Sequence, residues 1–175
     1  MTEQSASPQK IVIIGGVAGG MSAATRLRRI NEKAEIVVIE RGGAVSFANC
    51  GLPYHVGGVI ENRSSLVLQN PEQLKARFNI DVLLRTEATA INRDARSVSV
   101  TDLETGASSE ISYDALVLSP GSTPFRPPIA GVETAHVLWN LDDMDAVMDT
   151  ASRATSAVVV GGGFIGLELA ENLIH

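Results

Sequence analysis

Cysteine is almost absent from these 175 residues, with Cys50 the single example. No disulfide can form within the chain, so any redox chemistry at sulfur needs a partner sulfur from elsewhere. Basic residues are also few. Fourteen Lys and Arg face twenty Asp and Glu, and the net charge of -6 works against nucleic acid or anionic membranes as partners. Long apolar runs are missing too. The two most apolar stretches, Ile11 to Met21 and Ala157 to Leu167, are broken by glycines and fall short of the ~18 residues a membrane span needs. The opening MTEQSASPQK has no basic region followed by an apolar one, so no export signal is expected and the cytoplasm is the expected compartment. His55, His136 and His175 show no ligand spacing with Cys50 or with carboxylates, and no metal site is expected. What remains is a globular composition, 45% hydrophobic and 19% charged, long enough for one domain or one domain plus a piece of another.

The order of elements points to an α/β fold. Ile11 to Ile14 read as a strand, glycines follow, and Met21 to Ile30 carry helical spacing; Glu35 to Glu40 is a second buried-type strand. That βαβ opening implies a parallel sheet. Pro71 to Phe78 reads as a helix capped by Asn70. Asp81 to Asn92 and Ser97 to Asp102 read as strands of a small antiparallel excursion, closing at the Glu104-Thr105-Gly106 turn. Tyr113 to Ser119 returns as a buried strand, and prolines at 120, 124, 127 and 128 stiffen the connection that follows. A boundary is expected near residue 125. Beyond it, Leu141 to Ala154 reads as an acidic helix, Ala157 to Val160 as a strand and Phe164 onward as a helix still running at the last residue.

Two glycine turns carry the chemistry. In VVVGGGFIGLELA, Gly161, Gly163 and Gly166 stand in G-x-G-x-x-G order between a strand and a helix. Gly161 suits the turn, Gly163 lets backbone approach a pyrophosphate, and Gly166 allows close helix-strand packing. In IVIIGGVAGGMSAA, Gly15 and Gly20 hold the outer positions while Val17 replaces the middle glycine. Glu40, twenty residues after Gly20, ends the next strand where a carboxylate can accept ribose hydroxyls. A packing turn without ligand and a surface acid are the competing readings. The two turns begin 146 residues apart and form an internal repeat of a nucleotide-binding half. Two nucleotides on one chain suggest hydride exchange between a flavin and a nicotinamide, with NAD and NADP not distinguished.

Between the turns lies SFANCGLPYHVGG. Gly51 and Pro53 suit the first turn of a helix whose dipole would favour a Cys50 thiolate; a buried, inert cysteine is the other reading. Without a second cysteine, Cys50 would cycle through a mixed disulfide with a small thiol or through a sulfenic acid. Arg26, Arg28 and Arg29 form either a solvated face or a phosphate anchor.

IVIIGGVAGGMSAATRLRR, VIERGGAVSFANCGLPYHVGG, YDALVLSPGSTP and VVVGGGFIGLELAENL together resemble the FAD-dependent pyridine nucleotide-disulfide oxidoreductases, specifically the coenzyme A disulfide reductase branch, from about Lys10 to His175. The cysteine loop is the most specific part. The resemblance implies a Rossmann-like FAD-binding domain over residues 1–125, with a parallel sheet and a small antiparallel excursion. It also implies the start of a second Rossmann-like, NAD(P)-binding domain over 126–175. It implies FAD contacts from Gly15, Val17, Ala18, Gly19, Glu40, Arg41, the backbone near Ala88, Ser119, Pro120 and Gly121, and NAD(P)H contacts from Gly161, Gly163 and Gly166. Coenzyme A would meet Ser22, Arg26, Arg29, Ser46 and Asn49, with Arg77 a further candidate, and Cys50 would form its mixed disulfide.

NADH oxidases and peroxidases of the superfamily place histidine where Ala18 stands and usually serine where Asn49 stands, which argues against oxygen or peroxide as the main substrate. Persulfide reductases of the branch look alike over this region. Family members run well beyond this length, so the resemblance implies the N-terminal part of a longer enzyme, homodimeric when complete and acting on a small-molecule thiol or disulfide. A noncatalytic nucleotide-binding fragment and a ferredoxin-reductase-type flavoprotein with a structural Cys50 are the competing classes.

Overall fold

The structure, a computed structural model, describes residues 8–174; most of the leader read for an export signal, and His175, lie outside the described residues. In chain order the elements are β1 (Lys10–Ile14), α1 (Ala18–Ile30), β2 (Glu35–Ile39), α2 (Leu52–Val56), α3 (Pro71–Phe78), β3 (Ile80–Leu83), β4 (Thr86–Asn92), β5 (Ser97–Asp102), β6 (Ser108–Ser112), β7 (Ala115–Leu118), α4 (Leu141–Ala151) and α5 (Phe164–Leu173). They fall into two compact units. One comprises residues up to Phe47 with Gln69–Gly121, the other Ala48–Leu68 with the residues from Ser122 on.

In the first unit, four parallel strands stand in the order β3-β2-β1-β7. The β-branched runs KIVII and EIVVI suit strands covered on both faces. Alternation along β1 sends Ile11 and Ile13 to one face, where they are buried with Met21 and Ala24 of α1 and Leu74 of α3. Val12 goes to the other face, buried with Val37, Ile39 and with Val98 and Val100 of β5. Burying each such side chain contributes about 1.5–3 kcal/mol. The result is helices, parallel sheet and the antiparallel β4-β5-β6 sheet in three layers. Helix α3 begins at a capping box between Asn70 and Gln73, with Pro71 in its first turn, and ends at Asn79 in the left-handed conformation.

The expected single strand over 81–92 is two strands. The chain turns at Leu84 and Arg85, where Arg85 has φ 51°, and β3 joins the parallel sheet while β4 pairs antiparallel with β5. No residue type there announces a turn, because arginine seldom takes positive φ. Serine-rich β6, which the sequence reading left out, completes the antiparallel sheet.

The second unit is helical among its described residues. Helix α4 carries a capping box between Asn140 and Asp143, buries Leu141, Met144 and Val147, and stops at Ala151 rather than 154. A forked ion pair joins Arg63 Nε and Nη2 to the Asp145 carboxylate at 2.8–3.0 Å, and that hydrogen bonding raises the Arg63 pKa above its ordinary value. The strand expected at Ala157–Val160 does not form. Val158 and Val160 are 90% and 79% exposed, and no described strand pairs with them; without ladder hydrogen bonds, a β-prone sequence stays irregular.

Candidate functional site

Three adjacent parallel strands of the first unit end on one rim. The glycine turn follows β1, Glu40 follows β2 and Ser119 follows β7, and the carboxyl ends of such strands are where open α/β sheets bind ligands. Gly15 has φ 101°, and a Cβ there would overlap the Ser119 carbonyl oxygen. Gly20 leaves no room for a side chain against the Gly15 carbonyl. These contacts are what keep the α1 N-terminus close to the sheet. Val17 caps α1 without a side-chain hydrogen bond, and no acidic residue occupies the first turn, which leaves the orphan N–H groups and the positive end of the helix dipole available to an anion.

Glu40 is the acid of this rim, and it is half-buried. Its Oε2 accepts from the Gly16 N–H at 2.7 Å and its Oε1 from the Gly42 N–H at 2.6 Å. Each oxygen keeps lone-pair capacity for a hydroxyl, as two neighbouring ribose hydroxyls require. Around it, Gly15 N–H donates to the Ile39 carbonyl, Ser46 N–H to the Gly16 carbonyl and Ser119 N–H to the Ile14 carbonyl, each at 2.8 Å. The rim therefore gathers Gly15, Glu40, Ser46 and Ser119, with Gly19 against the Ser119 hydroxyl. Gly16 and Gly42 were not singled out in the sequence. The Gly42-Gly43 pair straight after the Glu40-Arg41 step was the available sign of close backbone approach.

The remaining first-unit candidates are less enclosed. Ala18, Pro120 and Gly121 are exposed. Arg41 reaches the Glu87 carboxylate at 3.5 Å, and Ala88 pairs with Val100 beside the bulge of β4. On α1, Ser22, Arg26 and Arg29 are exposed at helical spacings of four and three. Arg28 is different. Its guanidinium donates to the carbonyls of Phe78 (2.7 Å), Asn79 (2.8 Å), Glu32 (2.7 Å) and Asn31 (3.3 Å), so it ties the ends of α1 and α3 together and leaves the arginine group read from the sequence. Arg77 lies over its neighbour Phe78 at 5.1 Å from the ring centre.

In the second unit, Cys50 is exposed rather than buried. It lies in the 3-10 turn Asn49–Gly51 just before α2. A Cβ on Gly51 would press on Leu66, so the backbone after the thiol is packed tightly. Ala48 N–H donates to the Leu66 carbonyl at 2.8 Å, and the buried His55 uses Nδ1 to bind the Ile60 carbonyl. Asn49 is exposed beside the thiol residue.

The second glycine turn repeats the first in its internal geometry. Gly161 has φ 109°, and a Cβ on Gly166 would meet the Gly161 carbonyl oxygen at 2.7 Å. Gly163 caps α5 without a side-chain hydrogen bond, and nothing stands within 4 Å of a Cβ placed on it. Both turns thus fit a dinucleotide's pyrophosphate: a glycine at positive φ, a helix start without a side-chain cap and no room for a Cβ at the third glycine. Among the described residues no group of three His, Cys, Asp or Glu is placed to hold a metal ion.

Comparison with known proteins agrees with this geometry. A family model described as pyridine nucleotide-disulphide oxidoreductase matches residues 9–175. A coenzyme A disulfide reductase of Staphylococcus epidermidis is 39% identical over 95% of the chain. The reduced CoADR-RHD of Bacillus anthracis superposes with a TM-score of 0.91 at 44% identity, over 95% of this chain and 31% of that one. A NAD-dependent persulfide reductase of A. fulgidus gives 0.90 at 38% identity, over 94% and 32%. The chain spans about two-fifths of the curated relative's length, 38%.

Proposed function

The chain belongs to the pyridine nucleotide-disulphide oxidoreductases, and from that premise we propose that it forms part of a flavin-dependent NAD(P)H oxidoreductase that reduces coenzyme A disulfide, or a related persulfide, through Cys50. The observation that carries the proposal is the repeated turn geometry, Gly15 with Gly20 and Gly161 with Gly166, because each such turn suits one dinucleotide pyrophosphate and a flavin and a nicotinamide are two dinucleotides. Residues 1–125 would bind FAD and residues 126–175 begin the NAD(P)-binding domain. The bound flavin would relay two electrons from NAD(P)H to sulfur.

Each residue then has a defined task. The N–H groups at the start of α1 and the backbone of Gly15 to Gly19 hold the FAD pyrophosphate, Glu40 accepts from the adenosine ribose hydroxyls, and Arg41, the backbone near Ala88 and Ser119 to Gly121 line the remainder. Gly161, Gly163 and Gly166 take the NAD(P)H pyrophosphate in the same way. Ser22, Arg26, Arg29, Ser46 and Asn49 hold coenzyme A, with the two arginines on its phosphates.

The Cys50 thiolate attacks one sulfur of the disulfide, releases one coenzyme A thiolate and keeps the other coenzyme A as a mixed disulfide. Two electrons then cleave that bond, and with one proton they return the Cys50 thiolate and a second coenzyme A thiol. The proposal places this chemistry in the cytoplasm, in a homodimer; no helix among the described residues is long and apolar enough to cross a membrane.

The test is NAD(P)H-driven thiol release from coenzyme A disulfide by the protein in its full natural length. A yellow protein that releases two thiols per NAD(P)H supports the proposal. A colourless protein that takes up no flavin, or a flavoprotein that turns over only oxygen or a ferredoxin, overturns it.

A further inference from the structure

The carboxylate of Glu40 owes one of its two backbone donors to Gly42, and Gly42 is itself held from one side by a single residue. Its carbonyl accepts from the Arg85 N–H at 3.1 Å. The Arg85 carbonyl in turn accepts from Leu103 N–H at 2.7 Å, and the Glu40 carbonyl accepts from Thr86 N–H at 3.0 Å. Arg85 also stands at positive φ, 51°, in a left-handed conformation that costs a non-glycine residue free energy and persists where surrounding structure enforces it. Its guanidinium lies flat on the next residue of the same loop. A Cβ on Gly43 would stand 2.6 Å from Nη2, 2.9 Å from Cζ and 3.0 Å from Nε. Backbone and side chain of residue 85 therefore hold Gly42, whose N–H binds the Glu40 carboxylate, and its neighbour Gly43.

We infer that Arg85 is a positioning residue for ribose recognition: by packing on Gly43 and bonding Gly42, it fixes the Gly42 N–H that orients Glu40 toward the adenosine ribose of the flavin. The inference rests on the reading of Glu40 as the ribose acceptor. It assigns a task to an arginine that the sequence placed in the middle of a strand. It also explains why residue 43 is a glycine, since a side chain there would displace the guanidinium.

The experiment measures binding rather than turnover. Apoprotein of full natural length is titrated with FAD and with the FAD analogue carrying 2′-deoxyadenosine, following flavin fluorescence. One charge-assisted hydrogen bond corresponds to a preference for FAD of about tenfold or more. Glu40→Gln is expected to reduce that preference to about twofold or less. Arg85→Gly accepts the positive φ without strain and is expected to lower the preference at least about threefold, while affinity for the deoxy analogue changes little, as an orientation effect requires. Gly43→Ala, which leaves Arg85 in place but displaces its guanidinium, is expected to narrow the preference likewise.

If both Arg85→Gly and Gly43→Ala keep the full preference, or weaken the two ligands equally, the inference is overturned while the ribose reading stands. If Glu40→Gln also keeps the preference, the ribose reading falls and the inference with it.

Discussion

The carbonyl oxygen of Ser119 occupies the place where a side chain on Gly15 would stand. One residue follows β7 and the other follows β1, strands that pair in parallel register from Ile11–Ala115 to Ile14–Leu118. The first turn is therefore shaped by a neighbour about a hundred residues away in sequence, and its glycine answers to sheet order as well as to local turn chemistry. Gly15→Ala meets both a positive φ and a backbone oxygen that cannot rotate away. The expected loss is about 3 kcal/mol or more of stability, with flavin retention lost as well. Thermal unfolding and the flavin content of the purified variant check it.

Arg28 and its neighbours Arg26 and Arg29 should separate cleanly in a mutant series. Arg28→Ala removes four hydrogen bonds to carbonyls of Phe78, Asn79, Asn31 and Glu32 and is expected to cost about 2–3 kcal/mol of folding stability with, under the proposed function, little change in KM for coenzyme A disulfide. Chemical denaturation checks the first part and steady-state kinetics the second.

Arg26→Ala combined with Arg29→Ala should do the reverse. Both side chains are exposed, so stability should change by less than about 0.5 kcal/mol. KM for coenzyme A disulfide should rise much more than KM for a small uncharged disulfide. Equal rises on the two substrates would return both arginines to a solvated face.

Acid sensitivity of the antiparallel sheet should carry a mark of Asp102. The Thr105 and Glu104 N–H groups donate to its carboxylate and hold its pKa below the ordinary aspartate value. A depressed pKa in the folded state means that the stabilisation is present above the ordinary aspartate value and is lost as pH falls through the folded one. Asp102→Asn should therefore lower stability at neutral pH and flatten its further fall on acidification. Denaturation midpoints measured from neutral pH down to strong acid check the slope.

Local signals were legible in the sequence, and signals made by distant neighbours were not. Helix α3 was readable from Asn70 and Pro71 because its capping box lies within four residues. The parallel core followed from two β-branched runs with a helix between them. Arg85 hid a strand break because nothing in its side chain advertises positive φ; Leu103, whose N–H binds its carbonyl, belongs to a later segment. Arg28 resembled an anion anchor because its acceptors at Phe78 and Asn79 lie fifty residues on. The valines at 158–160 carried strand propensity, but a strand exists only through its partner. At the candidate site, Glu40 was found by its spacing from Gly20, while its two backbone donors, Gly16 and Gly42, are facts of folding.

Cys50 offers the sharpest division between half-reactions. Its side chain is exposed in a turn that Gly51 packs against Leu66, and serine there preserves size and hydrogen bonding while removing the nucleophile. Under the proposed function, electrons enter from NAD(P)H without needing the thiol and leave to a disulfide only through it. Cys50→Ser should then leave FAD content and the rate of NAD(P)H-driven flavin reduction within about twofold of the unaltered protein, and lower thiol release from coenzyme A disulfide by a factor of about a thousand or more. Stopped-flow absorbance reads the first half and a thiol-release assay the second. Substantial disulfide turnover in the serine variant would leave Cys50 a packing role and move the chain toward electron-transfer flavoproteins, whose acceptors need no thiol; a variant that also lost flavin would show instead that the turn around Gly51 supports the fold.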